Sequence, residues 1–269
     1  MMILVLGGTG KTGRRIADRL TARHLPVRIG SRSAVPAFAW DDRTTWGPAL
    51  DGVTAVYLSY YPDLALPGAY DDVKAFTELA VRTGVRRLVL LSGRGEPEAQ
   101  ASEVTVAESG AEWTVVRCSW FMQNLSEGFL HGQVLGGVIA LPGPDVAEPF
   151  VDVDDIADVA VAALTEEGHA GRLYELTGPR LLTFAQVAAE LSEATGRQIV
   201  FQQMTPEAYR AAAVAEGLPE DEAAGLTEMF TGIIDGRNAY LADGVHEALG
   251  RPARDFADYA RANAKEWTI

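Results

Sequence analysis

The chain has 269 residues, of which 48% are hydrophobic, so it can bury a full core, and we expect one α/β domain with a smaller annex. Its formal net charge of −14 gives a surface that repels nucleic-acid phosphates, which argues against direct nucleic-acid binding. Its one cysteine excludes an internal disulfide framework, and the absence of an 18-residue apolar run or a leader pattern favours a cytoplasmic protein without a membrane segment.

The first predicted element is a strand that leads through a tight turn into a helix. The apolar residues 2–6 meet a glycine cluster at residues 7–13, and apolar residues then recur at helical spacing. Glycines let a pyrophosphate approach the backbone, and the first turn of a helix offers N–H groups and a positive dipole end to an anion. The spacing fits the dinucleotide fingerprint and its short-chain dehydrogenase variant. The predicted cofactor-binding residues here are Gly7, Gly8, Thr9, Gly10, Lys11 and Thr12.

This turn has two alternative interpretations. A glycine-rich turn can join a strand to a helix without binding a ligand. The end of the cluster also imitates a mononucleotide P-loop, but that motif needs glycine where Val5 stands. The loop is therefore too short to wrap a triphosphate.

The second strand, residues 26–29, ends in a segment that indicates the cofactor. NAD enzymes usually place Asp or Glu there to bind the ribose 2′-hydroxyl. This chain instead has Arg32 between two serines, and no carboxylate appears until Asp41. Arginine suits a 2′-phosphate, so we predict NADP(H), with NAD(H) as the second choice. A solvated loop arginine is the alternative interpretation of Arg32.

Three further strands are predicted, at residues 53–58, 85–91 and 113–118, with helices between them and a short strand at 37–40. This alternation indicates a Rossmann-like doubly wound parallel sheet. Ligands bind outside the carboxyl ends of such strands. The strand ends carry Ser59, Tyr60 and Tyr61, then Ser92 and Gly93, then Cys118 and Ser119.

The regular alternation of predicted strands and helices ends after residue 118. Residues 120–124 begin an apolar helical segment, a helix starts near Asp155 with that residue as its N-cap, and residues 174–177 add a strand. Residues 184–195 are predicted to form an amphipathic helix that ends at Gly196. We assign residues 1–150 to an NAD(P)-binding Rossmann domain, to which segments of about 151–180 return. Residues 181–269 are predicted to form a mostly helical substrate-binding domain within a smaller C-terminal α/β unit.

Several segments in order resemble the NmrA-like group of atypical short-chain dehydrogenases/reductases. They are the glycine cluster, residues 109–117, Phe121-Met122-Gln123-Asn124, residues 151–157 and residues 174–179. The resemblance implies a domain that binds NAD(P)H, a small C-terminal substrate domain and a pocket between them. Family members include quinone, dye, ether and imine reductases, and also cofactor-sensing regulators without catalysis. Where the family often has proline after the arginine of its sixth strand, this chain has Cys118.

Carried over by position, the resemblance assigns cofactor contacts to residues 7–12 for the pyrophosphate and to Arg32 for the 2′-phosphate. The residues after successive strands would lie along the cofactor: Ser59, Tyr60, Ser92, Gly93, Cys118, Ser119 and Trp120. Cys118 is open to two interpretations, a reactive thiol or a small buried residue at a strand end.

No Tyr–Lys general acid is recognisable in this chain. Tyr70 and Lys74 have its spacing, but they precede the Ser92 strand, and we interpret them as a surface pair. Family reductases that use a lysine carry it where Ala99 stands here. Tyr60 is therefore our candidate catalytic residue, as proton donor or orienting hydroxyl.

The candidate substrate pocket is aromatic with few polar groups, which suits a flat apolar acceptor. Its predicted residues are Tyr61, Trp120, Phe121, Met122, Gln123 and Phe150. Core packing is the alternative for Phe121 and Met122. The four histidines lack ligand spacing, so no metal site is predicted.

Together these features predict an NADPH-dependent reductase that delivers hydride to a small conjugated, quinone-like or imine-like acceptor. Such acceptors can take hydride with little help from a protein acid. The alternative is a non-catalytic NADP(H)-binding regulator that passes redox state to a protein partner. A homodimer or a protein partner is left open, and a small-molecule substrate is expected.

Overall fold

The computed structural model describes residues 2–268. The strands are β1 (Ile3–Leu6), β2 (Val27–Gly30), β3 (Ala55–Leu58), β4 (Arg87–Gly93), β5 (Glu112–Cys118), β6 (Val138–Pro142), β7 (Ala147–Glu148), β8 (Arg172–Leu176), β9 (Leu182–Thr183) and β10 (Val200–Met204). The α-helices are α1 (Lys11–Ala22), α2 (Trp46–Leu50), α3 (Ala69–Arg82), α4 (Pro97–Ala107), α5 (His131–Gly136), α6 (Val153–Thr165), α7 (Phe184–Thr195), α8 (Pro206–Ala215), α9 (Glu220–Ile233), α10 (Gly244–Leu249) and α11 (Phe256–Ala262). Short 3-10 helices span Arg43–Thr45, Met122–Asn124 and Ala264–Trp267.

These elements form two compact units. The first unit runs to Cys118 and adds Val153–Leu176 and Ala242–Pro252. The second unit comprises Ser119–Asp152, Thr177–Leu241 and the residues from Ala253 onward. Each unit has its own hydrophobic core.

The first unit is built on one parallel sheet in the order β2-β1-β3-β4-β5-β8. Strand β1 pairs with β2 on one side and with β3 on the other, so the strand order reverses there. Strand β8 completes the sheet beside β5. The Rossmann-like doubly wound fold predicted from the alternation of strands and helices is confirmed. The carboxyl ends of all six strands therefore lie along one edge.

The sequence accounts for the central strands of this sheet. Strands β1 and β3 are buried along their whole length, as their uninterrupted apolar runs predict for strands covered on both faces. Helix α1 packs against α6, where Arg19 donates hydrogen bonds of 2.6 Å and 2.7 Å to Asp154 and Asp158. These ion pairs fix α1, which begins directly after the glycine cluster, against α6.

The second unit contains two small sheets and several helices. Strands β6 and β10 pair in parallel, and β7 pairs with β9 in the antiparallel sense. Helix α7 begins with a capping box between Thr183 and Gln186 and ends at Gly196, whose φ of 67° suits glycine. These bounds match the predicted helix at residues 184–195.

Two expectations about individual elements differ from the structure. The predicted strand at residues 37–40 is only an isolated bridge between Ala39 and Asp42. Helix α6 begins at Val153, so Asp155 is not its N-cap. Asp155 is instead buried and accepts a 2.7 Å hydrogen bond from Arg251, a partner that is remote in sequence.

The unit boundary also differs from the predicted 1–150 domain, because residues 119–152 belong to the second unit. The reason is hydrophobic packing. Met122, Leu141 and Phe150 lie in the same core cluster as Phe184 and Trp267. The apolar side chains of residues 119–152 therefore pack with the later helices and not with the parallel sheet.

Candidate functional site

The glycine turn between β1 and α1 is compact enough to require glycine at two positions. Gly7 has a φ of +62°, and its carbonyl oxygen accepts a 2.8 Å hydrogen bond from the amide of Gly10. A Cβ on Gly13 would lie 2.6 Å from the carbonyl carbon of Gly7 and 2.8 Å from Cα of Gly8. The side chain of any other residue at position 13 would therefore force the loop open.

The start of helix α1 is suited to an anion. Gly10 is the N-cap residue, no side chain caps the helix, and its first turn contains no acidic residue. An anion at this end would meet the first-turn amides and the positive end of the helix dipole. Gly7, Thr9 and Gly10 are exposed, whereas the Thr12 side chain is buried. This arrangement fits the pyrophosphate of a dinucleotide.

The ends of β2 and β3 flank this turn. The Ser59 hydroxyl oxygen would lie 3.4 Å from a Cβ on Gly7, which places Ser59 directly beside the glycine turn. Arg32 follows β2 and is exposed, and no carboxylate among residues 2–268 forms a salt bridge with it. Ser31 and Ser33 lie 3.4 Å apart through their hydroxyl oxygens. The guanidinium is therefore available to a phosphate.

Tyr60 follows Ser59, but its phenol points to helix α3. The hydroxyl donates a 3.1 Å hydrogen bond to Asp72, and the ring centroid lies 4.8 Å from that of Trp40. Burial and the neighbouring Asp72 carboxylate raise the pKa of the Tyr60 phenol. The hydroxyl proton of Tyr60 is therefore directed at the Asp72 carboxylate. Tyr61, the next residue, is 70% exposed.

A charged network lies behind the end of β4. The Ser92 hydroxyl donates a 2.6 Å hydrogen bond to Glu103 of α4, and Arg117 of β5 donates one of 2.9 Å to the same carboxylate oxygen. Arg94, whose side chain is 1% exposed, donates a 2.5 Å hydrogen bond to Glu175. This network was not predicted from the sequence. Its one signal was the charged Arg117 directly after the apolar Val115 and Val116 of β5.

Gly93 ends β4 and is covered by the carboxyl group of Glu96. A Cβ on Gly93 would lie 2.5 Å from the carboxyl carbon of Glu96, so the carboxyl group occupies the space that glycine leaves. Burial, followed by the negative charges of Asp63 and Glu98, raises the pKa of Glu96 to about 7. Nothing local in the sequence distinguishes Glu96 from its neighbour Glu98, so Glu96 is not among the predicted site residues.

The raised pKa of Glu96 predicts how stability depends on pH. The folded chain retains the Glu96 proton up to about pH 7, whereas the unfolded chain loses it near the ordinary glutamate pKa of 4.5. Wild type should therefore lose stability relative to Glu96→Gln as the pH rises through this window. After a discount for partial exposure we expect about 2 kcal/mol, measured as the difference in unfolding free energy by urea titration at pH 4.5 and pH 8. A difference that does not change with pH would contradict this assignment.

Cys118 is buried at the end of β5, where its backbone pairs with Gly93. The thiol lies 3.7 Å from the carbonyl oxygen of Val116, and burial raises the thiol's pKa well above its ordinary value. A thiol in this state is protonated at neutral pH. These features favour a small packing residue over a reactive thiol.

The remaining predicted residues belong to the second unit. Ser119 donates a hydrogen bond to the carbonyl oxygen of Pro149, and Gln123 donates one of 2.8 Å to Asp152. Met122 and Phe150 are buried in the core of this unit. Trp120 packs against that core, and Phe121 is half-buried.

The second unit also contains a cavity of about 690 Å³. Its lining consists of Gly143, Pro144, Gln203, Met204, Thr205, Pro206, Thr231, Ile234 and Asp235. None of the six predicted pocket residues is among them.

Two further properties concern residues 2–268. No group of three or more His, Cys, Asp or Glu side chains in this range is arranged to hold a metal ion. No helix there has both the length and the apolar character needed to cross a membrane.

The chain is similar to several known NAD(P)H-dependent proteins. A family model described as NAD(P)H-binding matches residues 7–167. The chain is 33% identical to the NAD(P)H azoreductase of Xenophilus azovorans, with 98% of each chain covered. It is 36% identical to a (4-alkanoyl-5-oxo-2,5-dihydrofuran-3-yl)methyl phosphate reductase of Streptomyces griseus, again with 98% of each chain covered. An NADPH-dependent quinone oxidoreductase of Escherichia coli, solved with NADPH, superposes with a TM-score of 0.81 at 22% identity, covering 97% of this chain and 99% of that one.

Proposed function

Because this chain is an oxidoreductase of the NAD(P)H-binding, NmrA-like family of atypical short-chain dehydrogenases/reductases, we propose that it is an NADPH-dependent reductase acting on a small conjugated acceptor. The acceptor would be quinone-like or imine-like, or a related conjugated carbonyl or azo compound. The observation that carries this proposal is the uncapped, glycine-lined start of α1 beside Arg32.

Each group at this edge has a role in the proposal. The amides at the start of α1 would bind the pyrophosphate, and Arg32 would bind the 2′-phosphate. Ser59 and the end of β4 would face the ribose and nicotinamide half, as the order of the strands suggests. When bound, the reduced nicotinamide supplies a hydride. The chain's own contribution would be to position the acceptor and exclude water.

The choice of acceptor rests on the lack of a recognisable Tyr–Lys pair and on the compounds that the names of the relatives specify. Lys74 is exposed on α3, and Ala99 is fully buried where family reductases that use a lysine would carry it. Without a Tyr–Lys pair, an unconjugated ketone would be a poor substrate. The names of two relatives specify an azo compound and an oxo-dihydrofuran, both of which are conjugated.

The test is NADPH oxidation followed at 340 nm with a panel of quinones, azo dyes, imines and triarylmethane dyes. Turnover with a conjugated acceptor, and none with a simple ketone, is the expected result. Tight NADPH binding without oxidation across the whole panel would favour the non-catalytic regulator instead.

Replacing Arg32 tests the cofactor preference. We expect Arg32→Ala to weaken NADPH binding by about 10- to 100-fold, because a charge-assisted phosphate contact is lost, and to leave NADH binding within a factor of about two. Fluorescence titration with each cofactor gives the two affinities. Arg86→Ala is the matched control, since Arg86 is exposed and precedes β4 at the opposite edge of the sheet. Equal losses for both cofactors would remove the assignment of Arg32 to the 2′-phosphate.

A further inference from the structure

We propose that Glu96 is the proton donor for neutral acceptors, delivering its carboxyl proton to the oxygen or nitrogen atom of the acceptor that is being reduced. This inference rests on the proposed reductase function and extends it. It assigns a catalytic role to a residue outside the Tyr–Lys pattern. For quinones, conjugated carbonyls and azo compounds, which gain a proton as they are reduced, it revises the expectation that the acceptor needs little help from a protein acid.

Glu96 lies close to the carboxyl end of β4. Glu96 lies three residues after Gly93, the last residue of β4, and immediately before Pro97, the first residue of α4. Its carboxyl group is folded back against Gly93, with Oε1 3.0 Å from a Cβ built there. Strand β4 adjoins β3, and Ser59 at the end of β3 lies beside Gly7. The carboxyl group is therefore on the edge of the sheet where the cofactor cradle lies.

In the part of the chain that the structure describes, the Glu96 carboxyl group has no neighbour that stabilises its charged form. Among residues 2–268 no side chain donates a hydrogen bond to it or forms a salt bridge with it. The charged groups that act on it are Asp63, from the loop after β3, and Glu98, from the first turn of α4. Both are negative and both disfavour the carboxylate. With a pKa of about 7, Glu96 holds its proton in about half of the molecules at neutral pH, which is the range in which an acid catalyst works best.

The neighbouring hydroxyl and thiol groups hold protons that they do not readily donate near neutral pH. The Tyr60 hydroxyl is hydrogen-bonded to Asp72, and burial and that carboxylate raise its pKa. The Ser92 hydroxyl is bonded to Glu103. Cys118 is buried, with a pKa far above neutrality. Of these groups at the strand ends, Glu96 is the one whose pKa lies near 7.

The step balances without a further reagent. The acceptor receives two electrons and one hydrogen as the hydride that the NAD(P)H-dependent activity supplies. The O–H bond of the Glu96 carboxyl breaks, and a new O–H or N–H bond forms on the acceptor. The carboxylate that remains regains a proton from water. A triarylmethane cation becomes neutral on taking hydride and needs no proton, so Glu96 should not matter for that acceptor.

Glu96→Gln tests this difference directly, with Glu108→Gln as the matched control. Glu108 is an exposed carboxylate at the opposite end of α4. We expect Glu96→Gln to lower kcat for a neutral quinone or azo acceptor by about 10²-fold or more and to leave kcat for a triarylmethane cation within a factor of about two. The fall in wild-type kcat above about pH 7 with the neutral acceptor should also disappear in Glu96→Gln.

The outcomes separate the two proposals. If the variant reduces both acceptors as fast as wild type, Glu96 is not the donor, although the reductase function stands. If it loses both activities equally, the residue supports folding or cofactor binding and the inference fails. If wild type binds NADPH and reduces neither acceptor, the reductase function fails and the proton donor with it.

A second measurement does not depend on turnover. Carbon-13 NMR of the wild-type chain labelled at glutamate carboxyls should show one resonance that titrates near pH 7, and this resonance should be missing in Glu96→Gln and present in Glu108→Gln. If the Glu96 carboxyl resonance titrates near 4.5, the inference is overturned.

Discussion

Gly13→Ala is expected to lower the affinity for NADPH by about 100-fold or more. The added Cβ would lie 2.6 Å from the carbonyl carbon of Gly7 and 2.8 Å from Cα of Gly8, both of them backbone atoms that cannot rotate away. The turn would have to open, and its amides would then no longer converge on the pyrophosphate. Since a hydrogen bond to a charged group contributes about 1.5–3 kcal/mol, losing one or two of them gives an effect of this size. Isothermal titration calorimetry with NADPH measures it.

The control is Gly225→Ala in the middle of α9. A Cβ on Gly225 meets no atom within 4 Å, so this variant should bind NADPH as wild type does and be slightly more stable, because alanine favours a helix over glycine. A far-ultraviolet spectrum of Gly13→Ala should confirm that it is folded. A folded Gly13→Ala that binds NADPH with unchanged affinity would show that the turn does not hold the pyrophosphate.

Glu103→Ala is expected to destabilise the chain by about 3 kcal/mol. Its buried carboxylate accepts hydrogen bonds from Ser92 and Arg117, and Arg117 is only 20% exposed. Removing one member of a buried, hydrogen-bonded ion pair leaves the other charge poorly solvated, which is more costly than removing a surface charge. The free energy of unfolding from urea titration at pH 7 measures the loss.

Glu108→Ala provides the comparison within the same helix, because the Glu108 carboxylate is exposed. We expect this control to change stability by less than about 0.5 kcal/mol. Glu103→Ala should also weaken NADPH binding, because the Ser92 hydroxyl loses the acceptor that orients it. If the two variants lose the same amount of stability, the Glu103 contacts contribute nothing beyond solvation.

The parts of the fold that depend on local patterns could be predicted from sequence. The glycine turn before α1 is specified by residues that are adjacent in the chain, and the buried strands β1 and β3 are specified by continuous apolar runs. Helix α7 matches its predicted bounds because its capping box and terminal glycine are both local signals. NAD(P)H binding followed from the same local patterns and is confirmed at the level of the family.

The contacts that depend on tertiary packing could not be predicted. Glu96 differs from Glu98 only because its carboxyl group folds onto Gly93, which no spacing rule reveals. Glu103 binds Arg117 across fourteen positions, and Asp155 binds Arg251 across ninety-six. Residues 119–152 belong to the second unit because they pack in the core around Phe184, and their position in the chain does not reveal this packing. The individual cofactor and pocket residues therefore stay predictions.

A crystal structure of the chain with NADPH tests the central claim most directly. The account predicts that the pyrophosphate oxygens lie within hydrogen-bond distance of the amides at the start of α1, with the 2′-phosphate on Arg32. A dinucleotide whose pyrophosphate lies away from residues 7–13 would contradict the account.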